Sequence, residues 1–135
     1  MSATTAGALK ALIEGLGLSL SAYRDEAPAG TAPPYVTITE ELTLVADPIE
    51  DGAANTVVET VQVDLWQLWH NPTTGLVAES YTLAPALRKG MDGVRLNLIG
   101  TSLPYVALVR HSMRMLEVDE NIVHHAITVE VFRQA

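Results

Sequence analysis

Two strand-like runs, residues 105–118 and 122–133, are separated only by Asp119-Glu120-Asn121. So short a polar connection forces the two runs to pair as an antiparallel hairpin. In the second run Ile127, Val129 and Val131 alternate with Ala126, Thr128, Glu130 and Phe132, the period of a strand with one buried face. A longer run, residues 57–69, sets Val61, Val63 and Leu65 against Thr60, Gln62, Asp64 and Trp66. Residues 35–46 alternate too, but Glu40 interrupts the register of Val36, Ile38, Leu42 and Leu44, which predicts a bulge or an exposed end. Pro48, Asp51, Gly52 and Asn55 make residues 47–56 the connection between these two strands. Together they predict an extended hairpin arm.

The helical segments are shorter. Ala8, Leu9, Ala11, Leu12, Ile13 and Leu16 recur at spacings of three and four, so residues 4–16 read as a helix. Thr4 or Thr5 is placed to cap it, and Gly15 or Gly17 to end it. Residues 18–23 then read as a short strand, and residues 24–34, with three prolines, as a loop. Asn71-Pro72 marks a second helix start, with Leu76, Ser80, Leu83 and Leu87 on one stripe and Pro85 as a predicted kink. Gly90 and Gly93 close it; residues 94–99 read as a short strand or an irregular apolar run and residues 100–104 as a turn. The sum is an α/β (α+β) chain of a single domain, residues 1–135, with a mostly antiparallel sheet and two helices packed on one face.

Composition narrows what such a domain can do. No run approaches the roughly 18 apolar residues of a membrane span. The absence of cysteine removes disulfides, thiolate nucleophiles and thiolate metal sites, which suits the cytoplasm. The formal net charge is −8, and the only adjacent basic pair is Arg88-Lys89. Gripping nucleic acid by neutralising phosphates needs the opposite balance.

Chemical motifs are missing. The chain contains no nucleophile elbow, no phosphate-binding loop and no complete dinucleotide fingerprint. His124 and His125 are neighbours on a strand and so point to opposite faces, which prevents them from holding one metal together. The acidic pairs Asp25-Glu26, Glu50-Asp51 and Asp119-Glu120 fall in loops, where solvated charge is ordinary. The expectation is a protein with no catalytic, cofactor-binding or metal residues.

Large side chains on polar registers point elsewhere. Trp66 shares a register with Gln62 and Asp64, Phe132 with Thr128 and Glu130, and Tyr35 and Tyr105 open strands. Aromatics so placed are enriched in subunit interfaces. Candidate interface residues are therefore Asp25, Glu26, Tyr35, Glu50, Asp51, Trp66, Trp69, Arg110, Arg114 and Phe132, with Arg110 and Arg114 expected to share a face with Ser112.

The order of these pieces resembles the tail terminator (tail-completion) proteins of long-tailed bacteriophages. The resemblance is carried by Pro33-Pro34-Tyr35-Val36-Thr37-Ile38, by Val61-Gln62-Val63-Asp64-Leu65-Trp66 and by His125-Ala126-Ile127-Thr128-Val129, and it runs from Leu9 to Phe132. It implies a virion protein, assembled in the host cytoplasm, that forms a homohexameric ring at the head-proximal end of the tail. Such a ring stops growth of the major tail tube protein and meets the head-tail connector, or neck, protein. It would need no cofactor, and its acidity would let DNA pass through the lumen without specific binding. A head-completion or neck adaptor protein, a tail tube protein and a small-molecule-binding domain are the alternative readings. Replacing Glu50 and Asp51 with lysine is expected to impair ring assembly or tail capping while leaving the circular dichroism spectrum unchanged; unaltered capping removes that loop from the interface.

Overall fold

The computed structural model describes residues 4–45, 56–96 and 105–134. Among the described residues nine elements follow one another: α1 (Thr5–Glu14), β1 (Ala22–Arg24), β2 (Tyr35–Val45), β3 (Thr56–Leu68), α2 (Leu83–Met91), β4 (Val94–Leu96), β5 (Tyr105–Glu117), a 3-10 turn (Val118–Glu120) and β6 (Ile122–Gln134). The strands form one six-stranded sheet in the order β1-β2-β3-β6-β5-β4. Every pairing is antiparallel except β1 with β2. The hairpin expected from the Asp119–Asn121 spacing is β5–β6. The arm is β2–β3, paired as far as Val45↔Val57; its tip, with Glu50 and Asp51, lies outside the described residues.

Period-two alternation sorts the side chains of this sheet cleanly. Val36, Ile38, Val61, Val63, Leu65, Ile127, Val129 and Val131 are all essentially inaccessible on one face. Leu9 and Ile13 of α1, and Leu87 and Met91 of α2, pack on that face. Burying one such side chain is worth about 1.5–3 kcal/mol. Helices of ten and nine residues are too short to persist alone, so docking on the sheet is what holds them helical. Among the described residues no helix is long and apolar enough to cross a membrane.

Polar groups position α1. The Thr4 side chain accepts from Gly7 N at 3.0 Å as its N-cap. Glu40, the residue that interrupts the β2 register, sits at a bulge between Glu40 and Leu42. Its carboxylate accepts from Ala6 N at 2.9 Å, satisfying a first-turn donor and opposing the positive end of the helix dipole. The Thr5 hydroxyl donates to Glu59 on β3. The break in alternation is thus an anchor for the helix.

Several expectations require correction. The second helix starts at Leu83, not at Asn71. Asn71 instead takes the backbone N–H groups of Thr73 and Thr74 on its side-chain oxygen, closing a turn. His70 and Val77 then form an isolated antiparallel bridge. Pro85 consequently lies in the first turn of α2, where its missing N–H has no helical partner to lose, and it produces no kink. β1 begins at Ala22 rather than Leu18, because Ser19 has a φ of 58° and breaks the extended run. Tyr105, grouped above with exposed aromatics, packs against the core. Finally, Arg110 and Arg114 occupy opposite faces, because a bulge between Val109 and His111 shifts the β5 register.

The β5–β6 turn is fastened to the end of β3 by a single side chain. Asn121, with φ 58°, accepts from His70 N at 2.9 Å and donates to His70 O at 2.6 Å. Asn121→Gly keeps the backbone conformation and loses both bonds, an expected cost of about 1–2 kcal/mol. Asn121→Ala should cost about 1 kcal/mol more, from the left-handed backbone. Chemical denaturation of the three proteins checks that order, and equal losses would show that the side-chain bonds alone matter.

Candidate interface surfaces

The sheet face opposite the helices carries a row of rings. Tyr23 and Tyr35 meet edge to face with centroids 6.2 Å apart, Tyr35 and Trp66 stack at 6.3 Å, and Trp66 and His124 stack at 4.0 Å with ring planes 7° apart. The row follows from register, since Tyr35 pairs with Trp66 and Trp66 with His124 across three adjacent strands. Met115 continues it as the β5 partner of His124. Met113, two residues away, is 50% exposed. Two of the sequence-derived candidates, Tyr35 and Trp66, are therefore brought together. Tyr23, His124 and Met115 were missed, because their neighbourhood depends on strand order.

Beside this row lies a buried polar cluster. Asp64 Oδ1 accepts from His124 Nε2 at 2.6 Å, and Gln62 Nε2 donates to both Asp64 oxygens at 2.8 and 3.1 Å. The Trp66 indole donates to the Thr37 hydroxyl at 3.0 Å. Thr37, Asp64 and His124 are all buried. An Asp–His pair can orient a general base, but here the imidazole lies flat on the Trp66 indole. The arrangement fixes the aromatic side chains against one another. His111 pairs with Thr128, four residues along β6 from His124 and so about 13 Å away. Among the described residues no three His, Asp or Glu side chains are grouped to hold a metal ion.

Phe132 lies on the same helix-free face, with the Arg110 guanidinium 5.4 Å from its ring centroid and Arg110 Nε 2.8 Å from Glu130. Trp69 follows β3, its ring 4.1 Å from that of His70 and its N–H bonded to Asn121 O. Asp25 and Glu26 are exposed at the end of edge strand β1.

Arg114 belongs to a different cluster, on the helix face. Its Nε and Nη2 donate to Glu79 at 3.0 and 2.7 Å. Glu79 lies in the segment before α2, and Gln67 bonds the adjacent Ser80 in both directions. These polar ties, with Ala78 N on Trp69 O, clamp a segment whose Leu76, Val77 and Tyr81 are more than half exposed. The Arg114 hydrogen bonds hold the Glu79 carboxyl below its ordinary value of 4.5. His125 Nε2 stands 3.8 Å from Glu79. Burial pushes the imidazole below its ordinary 6.5, with Glu79 opposing and Arg114 and Arg88 assisting.

These shifts make the clamp acid-sensitive in two windows. Below pH 6.5 the unfolded chain protonates His125 while the folded chain resists, so stability falls as pH drops toward the folded value. Below 4.5 the same argument applies to Glu79, which stays ionised when folded. Thermal melts across pH should show His125→Gln flattening the loss in the upper window and Glu79→Gln flattening only the lower one. An unchanged upper slope in His125→Gln would contradict the assignment.

No protein-family model matches the chain, and a search of curated proteins also finds no match. Among solved structures it is similar to a chain in the virion of a native gene transfer agent (GTA) particle. The TM-score is 0.58 at 15% identity, over 94% of this chain and 84% of that one. At that identity the likeness is one of fold, and it takes in nearly the whole domain described above.

Proposed function

We propose that this chain is a virion structural protein, and more specifically a tail terminator. In that role copies form a homohexameric ring on the head-proximal end of the tail tube. The ring ends polymerisation of the tube protein and offers its other side to the head-tail connector. The observation that carries the reading is the likeness, over 94% of the chain, to the fold of a virion component. The strand sequences Tyr35-Val36-Thr37-Ile38 and Val61-Gln62-Val63-Asp64-Leu65-Trp66 point the same way.

Physical features of the domain agree with such work. Its built polar clusters hold aromatic rings and a surface segment in place, as a protein that functions by presenting shape requires. Large side chains line the helix-free face, and Leu76, Val77 and Tyr81 stand out from the clamped segment. A net charge of −8 keeps DNA from adhering to a lumen through which it has to move. A head-completion or neck adaptor role in the same particle is the alternative, since the fold likeness carries no position within the virion.

Capping separates the two. Added to purified tube protein under polymerising conditions, the chain should shift tubes to a bounded length distribution and appear as a ring at one end by negative-stain microscopy. Tubes of unaltered length, with the chain bound instead to isolated connectors, would favour the adaptor role. Growth of the chain alone into filaments would make it a tube protein.

A further inference from the structure

The open sheet has two edges that carry charge at the same height: exposed Arg24, Asp25 and Glu26 at β1, and Arg88 and Lys89 beside β5. At the β1 edge, Asp25 N donates to Ile38 O at 2.9 Å. This bond fixes the position of the Asp25–Glu26 turn, whose side chains are exposed. From Ile38 one cross-strand row runs through Val63 and Ile127 to Ser112. At the far end of that row, Arg88 Nη1 donates to the Ser112 hydroxyl at 3.3 Å. Arg88 and Lys89 line an open depression of about 400 Å³ between α2 and β5, walled by Pro85, Asp92 and Val109.

Apart from the Arg88–Ser112 hydrogen bond, the basic groups here are not held by side-chain partners among the described residues. Lys10, Arg110 and Arg114 are taken by Glu14, Glu130 and Glu79. Among the described residues Arg88 and Lys89 form no ion pair with a carboxylate. The one acid in the depression, Asp92, accepts from Val109 N at 2.9 Å. Among the described residues β4 pairs with Tyr105–Ala107 of β5 and no strand pairs with the rest of that edge.

We propose that copies of this chain join head to tail through these edges, the Asp25–Glu26 turn of one copy entering the Arg88–Lys89 depression of the next. Extending the row, which runs from Arg24 through Ile38 to Ser112, from copy to copy sets Arg24 level with Ser112 and carries the acidic pair, one and two residues beyond it, toward the Arg88–Lys89 depression. The two patches differ, so the contact is heterologous and closes into a ring when each step turns by a constant angle. A two-fold contact through either edge would set like charges against each other, which disfavours it. The inference rests on the ring reading above and names the surfaces that make the ring.

The absence of cysteine from the chain permits a direct test. Single variants Glu26→Cys and Lys89→Cys, mixed under oxidising conditions, should form a disulfide between chains that neither forms alone. By sedimentation, Lys89→Glu should weaken self-association by about tenfold or more, and adding Glu26→Lys in the same chain should restore it. Lys89 is exposed, so the fold should survive, and circular dichroism verifies this. If rings form and cap tubes yet show no mixed disulfide and ignore Lys89→Glu, the edge contact is wrong while the ring reading stands. If the chain stays monomeric both free and on tubes, the two fall together.

Discussion

The β3–β6 ladder is the constraint on which the rest of this domain depends. Thirteen residue pairs, from Thr56↔Gln134 to Leu68↔Ile122, lock two strands in continuous register. Because side chains alternate along a strand, that register assigns every residue of both to a face. A slip of β3 by one position would turn Val61, Val63 and Leu65 away from the helices and carry Gln62, Asp64 and Trp66 to the helix face. Burial of about 1.5–3 kcal/mol per large aliphatic side chain makes such a slip prohibitive. Both flanking strands inherit their alignment from this pair, and the helices dock where it places the aliphatic face.

The same alternation separates two adjacent histidines into different physical roles. His124 faces away from the helices, stacked on Trp66 and bonded to Asp64. His125 faces the helices, beside the Glu79–Arg114 pair that ties down the segment preceding α2. One peptide unit therefore links the aromatic row on one surface to the clamp on the other. Neither cluster is arranged as a reaction centre. Each ties together side chains that lie far apart in the sequence.

Departures from regularity are where polar chemistry anchors the helices and redirects charge. The bulge at Glu40 delivers a carboxylate to the start of α1. The bulge between Val109 and His111 turns Arg110 toward Phe132 and Glu130 and leaves Arg114 on the helix side. In sequence the first was visible as a break in alternation. The second was not, since residues 105–118 alternate too weakly to reveal an extra residue.

Local pattern alone determined the four long strands, the β5–β6 hairpin, the first helix with a threonine cap, and the face on which Trp66 and Asp64 lie. These follow from spacing along the chain, which a sequence records directly. The tertiary structure alone decided that α2 begins at Leu83, that Glu79 reaches Arg114, and that Tyr23, Tyr35, Trp66 and His124 form one row. Each depends on which strand lies beside which, or on a partner tens of residues distant. The aliphatic stripe through Leu76 and Leu83 satisfies a helical period just as well as the observed turn and bridge do. Only the pull of Gln67, Arg114 and Trp69 on residues 78–80 selects between them.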